Sequence, residues 1–145
     1  MSYELVWGNE VREWAARQAG GAFVPGGAVA LGLRESGRAI LAGCFFENYN
    51  GRSLVAHLPI QRASRRFYWY LADYVFRQCG VHKLIAPIAS TNTRMVRLAL
   101  NMGFMEECRI KDAAPDGDIL IMTMTREQCR FLEDRYGKTT STRTA

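Results

Sequence analysis

The chain has 145 residues, 48% of them apolar and 11% aromatic, enough for one compact core and too few for two ordinary domains. It has no uninterrupted apolar run long enough for a membrane helix, and "MSYELVWGNEV" carries acids early with no basic region followed by an apolar one. The expected location is therefore the cytoplasm, with no membrane partner. A net charge of +5 favours an anionic partner: nucleic acid, an acidic protein or a cofactor with several phosphates.

The first expected element is a helix in "GNEVREWAARQAGG", with a cap at Asn9, Val11, Trp14 and Ala15 at helical spacing, and a stop at Gly20 and Gly21. "GAVALGLRESG" and "RAILAGCFFENY" are apolar and β-prone around the turn residues Glu35, Ser36 and Gly37, so they read as a hairpin. Asn50-Gly51 is a strong hairpin signal, since both central residues of that turn need positive φ, and it sets "SLVAHLPI" antiparallel to "AILAGCFFE". In "SRRFYWYLADYVFRQC", Phe67, Leu71, Tyr74 and Val75 share one helical face and Gly80 follows as a stop.

"HKLIAPIA", opened by His82, reads as a buried strand parallel to the one before the helix, because a strand, helix, strand order calls for a crossover. "TNTRMVRLALNMGF" is a second amphipathic helix with Met95, Leu98 and Met102 on one face and a stop at Gly103. "FMEECRIKD" and "DILIMTMTR" close the sheet through a turn at Pro115, Asp116 and Gly117. The capping-box spacing of Thr125 and Gln128 suggests a short last helix, and "KTTSTRTA" is polar and expected to be disordered. The four cysteines, Cys44, Cys79, Cys108 and Cys129, form no metal-ligand spacing and read as reduced thiols, so no metal is expected.

This order makes an α/β (α+β) arrangement with a mixed sheet. Within it, "STNTRMVRLALNMGF" resembles the late motif of the GNAT acetyltransferases, the Gcn5-related superfamily. There an Asn opens the helix after the fifth strand and Gly-Phe closes it, positions held here by Asn92, Gly103 and Phe104. "LAG" in the third strand and the loop "QRASRR" after the fourth fit the preceding family core. Small GNAT-like proteins of tailed bacteriophages, some with eroded cofactor loops, are similar in kind, which would put the protein in a host cytoplasm.

The resemblance implies one GNAT-like domain over residues 1–136 with a tail over 137–145. Its sheet would be mostly antiparallel with strands four and five parallel and splayed, flanked by helices. The splay would receive acetyl-CoA. Backbone amides near Leu58 to Ile60 would face the thioester oxygen, and the loop Gln61, Arg62, Ala63, Ser64, Arg65, Arg66 would face the pyrophosphate. The family loop is Q/R-x-x-G-x-G/A; aligned on Gln61 it finds Ser64 and Arg66 in place of the glycines, leaving Arg62, Arg65 and Arg66 to contribute charge-assisted contacts. The other reading of these arginines is a solvated basic helix start. Asn92 would touch the pantetheine region, and is equally a helix cap. The family's tyrosine, in the last helix, is replaced by Ala99.

For a base, His57 on the fourth strand lies beside the expected thioester position, and an imidazole suits proton transfer near neutral pH. Its other reading is a structural strand histidine. Glu47, at the end of strand three, is a second candidate, or a solvent-facing acid by a turn. The run Phe67 to Tyr70 could stack on bases, or pack on the sheet with Trp69 or Tyr70 near the surface.

The function expected is thus an acetyl-CoA dependent N-acyltransferase with a small-molecule or protein amine acceptor. The acceptor pocket would lie by the first helices and the loop from Ala113 to Asp118. The alternatives are a catalytically inactive, virion-associated or interaction protein of the same fold, and a nucleic-acid-directed modification enzyme. A homodimer through exposed sheet ends is also expected.

Overall fold

The computed structural model describes residues 3–18, 29–35, 37–57 and 65–132. In chain order these form β1 Tyr3–Trp7, α1 Asn9–Gln18, β2 Val29–Glu35, β3 Ile40–Glu47, β4 Ser53–His57, α2 Arg65–Ala72, β5 Lys83–Ala89, α3 Thr93–Met102, β6 Met105–Ala114 and β7 Gly117–Thr125. The strands make one sheet in the order β1-β2-β3-β4-β5-β7-β6. Among the described strands only the β4–β5 pair is parallel, joined through α2 as the strand, helix, strand order requires.

The two sheet faces are covered differently. Leu54, Ala56, Leu84, Ala86, Leu120 and Met122 face α2 and α3 and form the main core with Phe67, Leu71, Met95 and Met102. On the other face Val11 and Trp14 of α1 pack with Val6, Ala30, Ile40 and Phe45. α1 comes close because β2 and β3 offer glycine there: a Cβ on Gly43 would stand 2.8 Å from the Trp14 ring, and one on Gly32 3.0 Å from Val11.

Several local expectations change. β1 was not foreseen; its five residues gain their place by pairing with β2, Trp7 against Leu31, rather than from a pattern of their own. Gly8, not Asn9, supplies the carbonyl that accepts the first helical amide of α1, from Arg12 at 3.1 Å. The Asn50-Gly51 turn is wider than two residues: Asn48 and Gly51 take positive φ, and the Asn50 side chain accepts the Arg52 and Ser53 amides at 2.9 and 2.8 Å.

α2 runs directly into a π-helical segment, Asp73–Gln78, closed by Cys79 N–H donating to the Tyr74 carbonyl at 2.8 Å. Trp69 is 2% exposed, so the surface aromatic is the half-buried Tyr70; none of the four residues Phe67 to Tyr70 is exposed. The expected last helix is replaced by turns between Thr125 and Leu132. The capping box itself forms, with Thr125 N–H donating to Gln128 Oε1 at 2.8 Å and Gln128 N–H to Thr125 Oγ1 at 3.3 Å. The segment then packs back on the core, with Phe131 edge-on to Tyr68 at 5.3 Å and Arg130 N–H donating to the Met102 carbonyl. Residues 133–145, including the expected domain end and tail, lie outside the described residues.

Candidate functional site

β4 and β5 pair as Ser53 with Lys83, Leu54 with Leu84 and Val55 with Ile85, and no further, although the strands continue to His57 and Ala89. Pro87 supplies a local reason. Ser90 N–H donates to the Asp118 carbonyl on the β7 side, so strand alternation turns the Pro87 nitrogen toward β4. A proline there has no hydrogen to donate, and the ladder opens. The expected splay is thus present at the carboxyl ends of the two parallel strands.

Glu47 and His57, read separately from sequence, meet here. His57 Nε2 lies 2.8 Å from Glu47 Oε1, and its ring stacks on Phe45 with centroids 4.7 Å apart and planes 19° apart. The register accounts for this: Phe45 pairs with His57 and Glu47 with Val55, making His57 and Glu47 diagonal neighbours on one face. Both are half-buried. With the carboxylate accepting the Nε2 proton, Nδ1 is left as an acceptor. The pair lies on the α1 face of the sheet, at the splay, opposite the face that carries α2 and α3.

On that second face, two helix N-termini follow the diverging strands. α1 obeys the helix dipole, with Glu10 in its first turn and Arg17 in its last. α2 and α3 do the reverse: neither has an acid in its first turn, α2 begins Arg65-Arg66, and α3 carries Arg94. Cations at these ends lose dipole stabilisation and would recover it with an anion bound. Arg65 and Arg66 are exposed. Asn92 caps α3, its side chain accepting the Met95 amide at 3.2 Å, so the capping reading holds.

A residue the sequence reading passed over is Tyr68. It is 6% exposed, and its hydroxyl is buried with no hydrogen-bond partner. Burial raises its pKa, opposed by the charge of Arg94 on α3, so the phenol remains a donor at neutral pH. A buried donor without an acceptor calls for a ligand or water. Only its place one turn into α2, facing α3, could have signalled this.

These features fit an anionic, phosphate-bearing cofactor between α2 and α3. Of the residues expected to hold it, Arg65, Arg66 and Asn92 lie around the splay, while Leu58, Ile60, Gln61, Arg62, Ala63 and Ser64 lie outside the described residues. Ala99 is fully buried against the core, where a tyrosine would have no room without repacking. Among the described residues no three His, Cys, Asp or Glu side chains cluster to hold a metal, and no helix is long and apolar enough to cross a membrane.

No protein-family model and no curated protein sequence matches this chain. Solved structures do. A point mutant of the spermidine N-acetyltransferase SpeG from Vibrio cholerae superposes with a TM-score of 0.71 at 14% identity, covering 92% of this chain and 97% of that one. The acetyltransferase yncA from Salmonella typhimurium, described as putative and solved with acetyl-CoA, gives 0.64 at 16% identity, covering 87% and 95%. A GNAT-family acetyltransferase from Bacillus anthracis gives 0.58 at 15% identity, covering 68% and 66%. The chain has the GNAT fold: a mixed seven-stranded sheet, parallel only at β4 and β5.

Proposed function

We propose that this protein is an acetyl-CoA dependent N-acyltransferase. The observation that carries the reading is the opened β4–β5 ladder with the hydrogen-bonded Glu47–His57 pair at its mouth. Acetyl-CoA, when bound, would supply the acyl group as a thioester: an N–C bond would form to the acceptor amine, the C–S bond would break, and coenzyme A would leave as a thiolate that water protonates, the amine's proton passing to His57 and back to water. The chain's own residues divide the remaining work by face. On the α2–α3 face, Arg65, Arg66, Arg94 and the two helix N-termini would hold phosphate, helped by the loop from Gln61 to Ser64, while the amides near Leu58 to Ile60 would face the thioester oxygen.

On the α1 face, His57 takes the proton that the amine nitrogen loses, at Nδ1. Glu47 fixes the ring and its tautomer through Nε2 and favours the imidazolium once it forms. Phe45 holds the ring plane. The acceptor is an amine; polyamine is one such class, since SpeG is a spermidine N-acetyltransferase.

A second reading, a catalytically inactive interaction protein of this fold, including a virion-associated one in a phage, draws support from the missing tyrosine at Ala99 and the glycine-free loop. Nucleic-acid modification has only the net charge behind it, because the aromatic run on α2 is not exposed.

Calorimetry and thermal shift with acetyl-CoA and with coenzyme A separate these readings. Binding should raise stability with ligand concentration, and no shift at millimolar cofactor would sink the enzyme. Changing Arg65→Glu and Arg66→Glu together should weaken binding strongly. His57→Ala should lower kcat roughly 10²–10⁴-fold while leaving coenzyme A affinity in place.

A further inference from the structure

α1 covers its face of the sheet only along β1, β2 and β3. Over β4, β5, β7 and β6 no described helix packs on that side. The side chains there align by register: Val55 with Ile85, Pro87 with Ile121, and Ile119 with Ile110. None belongs to either core cluster; five are half-buried and Ile110 is 49% exposed. Three interstrand steps make this floor roughly 14 Å across.

Charge is confined to its borders. At the splay stand Glu47 and His57, and extending the β4–β5 register by two residues would set His57 across from Pro87. At the opposite end Lys83 donates to Glu107 at 2.9 Å, and Glu107 also accepts the Thr123 hydroxyl at 2.9 Å. A polycation would need several unengaged carboxylates along its length. The two acids bordering this floor are each already hydrogen-bonded, and the floor between them is apolar apart from Cys108 beside Ile121 and Thr123 beside Ile85, whose hydroxyl is engaged by Glu107.

We infer that the acceptor is a primary amine carried on an apolar body, an alkyl or aralkyl amine. Its nitrogen meets His57 at the splay, and its apolar part lies over Ile85, Pro87 and Ile121 toward Ile110. This rests on the acyltransferase reading and goes beyond it by choosing the acceptor class. The floor is continuous with the Glu47–His57 pair, so one extended molecule can occupy both. The one acceptor this pair leaves, His57 Nδ1, suits one amine nitrogen rather than three.

The experiment uses the full chain with coenzyme A present, titrating n-alkylamines from propyl to octyl and, separately, spermidine, by calorimetry and by thiol release from acetyl-CoA. Affinity and kcat/KM should rise roughly threefold to fourfold per methylene until the floor is covered, and octylamine should exceed spermidine at least tenfold. Ile121→Ser should flatten the series, and Ile110→Ser, at the exposed edge where folding is not at stake, should flatten its far end. Loss of coenzyme A binding would overturn the acyltransferase reading itself. If coenzyme A binds but chain length has no effect, if spermidine is preferred, or if a second copy of the chain covers the face in sedimentation and octylamine does not bind, the acceptor assignment is wrong.

Discussion

Tyr68 carries an unmet hydrogen bond in the fold and a use for it in the proposed site. Its phenol is buried without an acceptor, held protonated by burial and close enough to Arg94 to feel its charge. Removing an orphaned buried hydroxyl relieves a desolvation cost, so Tyr68→Phe should raise stability by about 1 kcal/mol in denaturant unfolding. The same change should weaken coenzyme A binding if the phenol reaches the ligand. Higher stability with unchanged affinity would leave Tyr68 outside the site. Gly103 shows the opposite case at the same scale: at φ 118°, with a Cβ that would run into the Gln128 carbonyl oxygen, it admits no side chain without moving the segment after β7.

Among the elements, the β6–β7 hairpin gathers two carboxylates whose pKa values fall on folding, the exposed Glu107 and the half-buried Asp118. Hydrogen bonds from Lys83 and then Thr123 hold the Glu107 carboxyl below its usual range, and the Asp112 amide, with Lys111 and Arg109, does so for Asp118. A depressed folded pKa gives stability that is present above the unfolded value and lost as pH falls through the folded one. The melting temperature should therefore drop on acidification below about pH 4, and the Glu107→Gln, Asp118→Asn double variant should drop less.

The π-helical segment responds at the other end of the scale. Burial first, and then the Cys79 hydrogen bond, raise the Tyr74 pKa well above that of free tyrosine. The unfolded chain loses this proton first, so stability falls as pH rises past about 10. In Tyr74→Phe that alkaline loss should shrink, as read by thermal melts across the range.

Across the whole molecule, residues 126–132 tie the two helices of the main core to each other. Arg126 donates to the Phe76 carbonyl, Arg130 N–H to Met102, Arg77 to the Leu132 carbonyl at 3.2 Å, and Phe131 meets Tyr68. Cys129 is buried among them, its thiol pushed up by burial. Ending the chain at Thr125 should cost several hydrogen bonds, the buried Cys129 and the half-buried Phe131 and Leu132, roughly 3–5 kcal/mol. Denaturant melts would show it as a lower midpoint. An unchanged midpoint would mean the segment adds nothing to the core.

What local signals could specify was readable in the chain. Asn92 to Gly103 caps, fills and stops α3 with residues next to one another, and the apolar runs of β4 and β5 bury alternate side chains, while β2 and β3, covered on both faces, bury nearly continuous ones. Glu47 and His57 were visible as chemistry, since an acid and an imidazole on neighbouring strands need no context to be named. Their hydrogen bond was not, because it depends on the β3–β4 register, which the Asn48 to Arg52 loop sets by its length and its Asn50 hydrogen bonds. The burial of Tyr68 beside Phe131 joins residues far apart in sequence, as does the pairing that makes Tyr3 to Trp7 a strand. Sequence determined the helices and strands from α1 to β7 and which groups could do chemistry; tertiary structure decided that Tyr3 to Trp7 is a strand, that the segment after Thr125 is not a helix, and which of those groups meet, because cross-strand and cross-layer contacts are fixed by register and packing rather than by neighbours along the chain.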